Sequence, residues 1–95
     1  VQEIIKESDV RKYFYFRLPQ GWKAEKFVSP SNRDVPDELV TAPLGQMFLV
    51  ELKRPGGKLR PGQLRDHAER ARLGVRVAVL SSYEAVDLWY ATWSR

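Results

Sequence analysis

Four consecutive apolar residues, Met47-Phe48-Leu49-Val50, run without a break into Glu51-Leu52-Lys53. So short an apolar run, bounded by Gly45 before it and Pro55-Gly56-Gly57 after it, predicts a strand covered on both faces. Such a strand lies inside a sheet, so the rest of the chain must supply neighbouring strands and covering helices. The same strand ends in two charges at alternate positions, hence on one face. Charges at the end of a buried strand need partners, and a local Glu–Lys ion pair at the water boundary is the plainest account of them.

Proline and glycine cut the remainder into short elements. Gln2 to Leu18 has neither residue and reads as a helix, with Val10, Phe14 and Leu18 at helical spacing before Pro19 and Gly21 stop it. Glu7 and Glu3 continue that stripe backwards. Trp22 to Val28 reads as a strand, Ser29 to Asp34 as a loop, and Glu38 to Thr41 as a second strand. Ala42 to Gln46 holds Pro43 and Gly45 and forms the turn into the Met47–Leu52 strand. Pro61 suits the first turn of a helix running to Leu73, with Leu64, Ala68 and Ala71 as its apolar stripe and Gly74 at its end. Val75 to Leu80 is a fourth strand. Ser81 and Glu84 fit a capping box opening a last helix, which carries Val86, Trp89 and Trp93 on one stripe. The return from third to fourth strand through a helix implies parallel pairing by a right-handed crossover. The expected architecture is an α/β sandwich around a small mixed sheet, one domain over residues 1–95.

With 95 residues and no cysteine, disulfide scaffolds, thiolate zinc sites and thiol nucleophiles are excluded. No apolar run is long enough to span a bilayer, and the acidic, interrupted VQEIIKESD start does not suit a signal peptide, so an intracellular location is expected. The net charge of +4 is unevenly spread: Lys53 to Arg76 holds eight Lys/Arg against two acids. That cluster is either a solvated face or a footprint for nucleic acid.

Asp37 lies 14 residues before Glu51. If their strands pair about Gly45, both carboxylates reach the same end of the sheet, an unfavourable placement without a cation between them. Glu7, on the apolar stripe of the first helix, points toward that sheet; alternatively it serves the helix dipole, a role for which Glu3 competes. Glu7, Asp37 and Glu51 are hard oxygen donors that suit Mg²⁺ or Mn²⁺ rather than zinc. Without these three acids, 16 basic residues face nine acidic ones, a basic surface around a small acidic pocket.

Glu7-x-x-Val10, Lys26-Phe27-Val28-Ser29-Pro30, Val35-Pro36-Asp37, Phe48-Leu49-Val50-Glu51-Leu52-Lys53 and Pro61-x-Gln63, followed by Gly74-Val75 and a fourth strand, resemble the VRR-NUC domain. This is the virus-type replication-repair nuclease of the PD-(D/E)XK nuclease superfamily, and the likeness runs from Glu7 to Trp89. It implies a restriction-endonuclease-like α-β-β-β-α-β core with a C-terminal helix. It also implies a Mg²⁺- or Mn²⁺-dependent phosphodiesterase acting on DNA, and small members resemble virus-encoded dimers that cut branched DNA, including four-way junctions. By that resemblance Asp37, Glu51 and the Leu52 carbonyl hold the metal, Glu7 holds it directly or through water, and Gln63 stands near the active site. Lys53 orients the attacking water and stabilises developing charge. Beside carboxylates it keeps its proton, so electrostatic positioning suits it better than base catalysis. Lys26, Lys58 and Arg60 are candidate phosphate contacts. The chain departs from the family pattern at Asp34, where Gly is usual, at Glu38, and at Arg60, where a capping Ser is usual; Asp34 either alters metal affinity or faces solvent.

Tyr13-Phe14-Tyr15-Phe16 wraps most of a helix circumference, and Leu88, Trp89, Tyr90 and Trp93 crowd the last helix. One sheet face cannot cover all of them, so a homodimer is expected. His67, the only histidine, reads as a packed or solvent-facing residue and receives no role. Two other functions compete with the nuclease: a non-catalytic basic DNA-binding module on the same fold, and an oligomeric interaction protein with solvated charges.

Overall fold

The computed structural model describes residues 4–95; Gln2 and Glu3 lie outside them. The elements run α1 (Glu7–Phe16), β1 (Lys23–Lys26), β2 (Glu38–Ala42), β3 (Gln46–Leu52), α2 (Pro61–Arg72), β4 (Val77–Leu80) and α3 (Tyr83–Trp93). The sheet order is β1-β2-β3-β4, antiparallel except for the parallel β3–β4 pair. The apolar third strand is therefore internal, as its composition predicts, and the crossover through α2 joins it to its parallel neighbour. β1 is an edge, and its two lysines guard it against stray pairing.

Local chemistry sets the element ends. The Asp9 carboxylate accepts the Lys6 N–H at 2.9 Å, closing the open start of α1, and Glu7 and Asp9 place negative charge in its first turn. Pro43–Gly45 makes one 3-10 turn between β2 and β3. It puts Leu44 at φ 65°, a left-handed conformation that L-residues adopt at a cost. The cap of α3 is Ser82, whose hydroxyl accepts the Ala85 N–H at 3.0 Å; the Ser81–Glu84 box lies one residue too early. β1 and β4 are shorter than expected, although the Phe27 N–H still donates to the Asp37 carbonyl and the Arg76 carbonyl still accepts the Leu49 N–H, each at 2.8 Å.

Period-two alternation divides the sheet faces. Val40, Ala42, Phe48, Val50, Leu52 and Leu80 meet Val10 and Phe14 of α1 and Val86 and Tyr90 of α3. The buried Tyr90 hydroxyl donates to the Phe14 carbonyl at 2.7 Å, tying α3 to the end of α1. Trp22, Phe48, Trp89 and Trp93 pack edge-on and stacked at 4.9–6.1 Å between ring centres. The chain thus covers most of its own aromatic excess, leaving Tyr15, Phe16 and Leu88 exposed on the helical side.

The opposite sheet face is different. α2 lies there, but Leu64 is 55% exposed and Ala68 and Ala71 point outward. The apolar stripe expected of α2 is not its inner face; Gln63 and His67 are buried instead. The expectation from helix periodicity is overturned here: the packing favours polar residues because a carboxylate lies beneath them.

Candidate active site

The β2–β3 register pairs Glu38 with Val50, so Asp37 and Glu51 stand opposite one another one step further on. Both fall on the α2 face, alternating with the core-facing Glu38 and Leu52. The Leu52 N–H donates to Asp37 Oδ2 at 2.9 Å, which fixes the aspartate across the hairpin. Glu51 is only 2% exposed. Its Oε2 accepts from Gln63 Nε2 at 3.3 Å and lies 3.8 Å from Lys53 Nζ. The Gln63 amide does two things, since its Oε1 also accepts the Arg60 N–H at 2.9 Å and closes the start of α2. The local Glu51–Lys53 pair expected from sequence is present, and it sits within a larger cluster.

Burial raises the Glu51 carboxyl to about 8, with the Asp37 charge and hydrogen bond the next causes and Lys53 opposing them. Glu7 adds to the same rise from the first turn of α1. Its carboxylate also pairs with Arg11, at 3.4 Å. Arg11 further approaches Asp37 Oδ2 and Glu38 Oε1, each at 3.5 Å. Glu38 is buried, and its other oxygen accepts from the Tyr15 hydroxyl. Arg11, Tyr15 and Glu38 thus belong to the neighbourhood although sequence reasoning gave them no part in it. The i,i+4 spacing of Glu7 and Arg11 was the available signal for the first of these.

Lys26, at the end of β1, joins Arg11, Tyr15, Asp37 and Glu38 in lining a cavity of about 310 Å³. Lys58 is exposed in the loop before α2. Arg60, exposed at the start of α2, pairs with the half-buried Asp34 at 3.4 Å. The Asp34 carboxylate sits where a side chain on Gly62 would have to go. A larger hollow of about 460 Å³ lies between α1 and Tyr83, but none of the sheet-end carboxylates lines it.

His67 is the main surprise. It is buried, with Nε2 3.4 Å from Glu51 Oε1. Among the described residues, neither ring nitrogen has a hydrogen-bond partner, nor has Glu51 Oε1. Burial lowers its pKa. A helical i,i+4 step from Gln63 was the sequence signal that could have found it.

Among the described residues, no group of three or more His, Cys, Asp or Glu side chains forms a ready metal cage. The chemistry nevertheless fits a hard ion. Two carboxylates stand side by side, one of them desolvated and holding an unpartnered oxygen. Magnesium keeps several waters and needs only one or two protein carboxylates.

A mixed four-stranded sheet carrying Asp37 opposite Glu51-x-Lys53, with helices on both faces, defines a domain of the PD-(D/E)XK nuclease superfamily. A protein of Acyrthosiphon pisum secondary endosymbiont phage 1, named "Putative nuclease p44", is 44% identical over 82 residues, covering 85% of this chain and 88% of that protein. A solved structure described as a VRR_NUC domain is 32% identical and superposes with a TM-score of 0.85, over 94% of this chain and 98% of that one. No family profile matches the chain. The chain belongs to the VRR-NUC nuclease family.

Proposed function

We propose that this protein is a Mg²⁺- or Mn²⁺-dependent endodeoxyribonuclease that cuts branched DNA, four-way junctions among them, as a homodimer. The observation that carries the reading is the placement of Asp37 against a buried Glu51 with Lys53 at its end. Asp37 and Glu51 would hold the ion, with the Leu52 carbonyl completing the protein's share and Glu7 acting directly or through water. A divalent ion bound there supplies positive charge against the scissile phosphate.

The chain's own groups do the rest. Lys53, 13% exposed in its side chain, places an ammonium beside the reacting centre, where it orients the attacking water and stabilises developing negative charge. Gln63 holds Glu51 from the start of α2, so the carboxylate's position depends on the helix. Lys26 and Lys58 would meet flanking phosphates and contribute affinity without reading sequence. Arg60 can do so only in competition with Asp34. The exposed Phe16 and Leu88, and Met47, Val79 and Leu64 across the molecule, are apolar surface that a second copy could cover. Two copies would bring two active sites to a junction.

The test is incubation with duplex, flap and four-way DNA, with Mn²⁺, with Mg²⁺ and with a chelator. Metal-dependent cutting, strongest on the four-way substrate, is expected. Binding without product in either metal would favour the non-catalytic module.

A further inference from the structure

Two buried polar groups face each other without hydrogen-bond partners among the described residues. His67 Nε2 and Glu51 Oε1 are 3.4 Å apart, and the other imidazole nitrogen has no partner either. The His67 side chain is 8% exposed and that of Glu51 2%, so water does not satisfy them freely. Leaving such groups unpaired is costly, and an apolar residue at position 67 would remove part of that cost. The same helix exposes Leu64 while burying Gln63 and His67. The inner face of α2 is thus chosen for contact with one carboxylate rather than for packing.

We propose that His67 is a positioning residue for Glu51: its Nε2–H donates to Glu51 Oε1 and sets the carboxylate's orientation beside Asp37 for the divalent ion. This rests on the metal-centre reading above. A carboxylate oxygen accepts through two lone pairs, so an imidazole on Oε1 leaves the remaining lone pairs of Glu51 for the ion. Gln63 constrains Oε2 from one turn earlier on α2. Together the two side chains grip both oxygens from a single helix, which a rotatable glutamate needs if it is to meet a metal in one geometry. Removing a hydrogen-bond partner of a metal-ligating carboxylate typically weakens metal binding by about 10–100-fold.

The experiment is calorimetric titration of the tag-free protein with Mn²⁺, for wild type, His67→Ala and His67→Gln, each checked by thermal melting. Wild type is expected to bind, His67→Ala about 10–100-fold more weakly, and His67→Gln between the two, because its amide can still donate. Equal affinity in a folded His67→Ala protein overturns the inference while leaving the metal centre intact. A wild type that takes up no Mn²⁺ overturns both. Should the alanine variant fail to fold, the glutamine variant and the wild-type ring decide. The chain has a single histidine, so its imidazole ¹⁵N signals are unambiguous. With saturating Mg²⁺, where Glu51 is ionised, they should show the proton on Nε2, and a proton on Nδ1 in that state overturns the inference.

Discussion

Asp37 and Glu51 face each other across the β2–β3 hairpin, one step beyond the Glu38–Val50 pair, with Glu51 sealed from solvent beneath α2. Two like charges so placed are stable only when one is neutralised, by a proton or by a cation. The site is therefore built at a cost to the metal-free fold.

Glu51→Gln removes that cost. At pH 8 without metal, the variant should be more stable than wild type by on the order of 1–2 kcal/mol, which thermal melting measures directly. The same variant should lose DNA cleavage.

The pH dependence follows from the raised Glu51 carboxyl, about 8 in the fold against an ordinary 4.5. Between these values the folded state binds more protons than the unfolded one, so this group's contribution to stability falls as pH rises through the window. Below pH 4.5 the contribution is fully present, and above about 8 it is lost. Melts of metal-free protein should show this decline, and Glu51→Gln should flatten it. Stabilisation by added Mn²⁺ should grow across the same range, because the ion replaces the proton.

Besides Lys53, Arg11 already brings a positive charge, reaching Glu7, Asp37 and Glu38 from one turn of α1. Arg11→Gln should lower metal-free stability and tighten Mn²⁺ binding severalfold, since a competing positive charge leaves the ligands. A melt and a calorimetric titration on the same sample check both signs.

Leu44 is nearly fully exposed and held at φ 65°. Its side chain gains little from burial there, and the backbone conformation is costly for it. Leu44→Asn should stabilise by about 1 kcal/mol without affecting activity, as read by thermal melting and by cleavage assays.

The legible part of this fold rested on patterns that burial enforces. The Met47–Val50 run announced an internal strand, Val10 and Phe14 announced the inner face of α1, and Pro43 with Gly45 announced the hairpin that brings Asp37 to Glu51. α2 was harder to read. Periodicity picks out Leu64, Ala68 and Ala71, yet the helix turns Gln63 and His67 inward, because one buried carboxylate from β3 outweighs a modest apolar stripe. The roles of Arg11 and Glu38 were equally hidden. Glu7–Arg11 spacing carries only the ion pair within α1; the reach of Arg11 to Asp37 and Glu38 depends on how α1 crosses the sheet end. Aromatic excess overstated the uncovered surface, since Trp22 reaches Trp89 and Phe48 from a loop that sequence periodicity does not orient.

The central claim is that Asp37 and Glu51 jointly hold the ion on which DNA cleavage depends. The most direct measurement is the Mn²⁺-supported cleavage rate of Asp37→Asn beside wild type, on four-way DNA, with melting curves recorded for both. A folded variant slowed by at least about 100-fold is the predicted result. A folded Asp37→Asn protein cutting at the wild-type rate would contradict it.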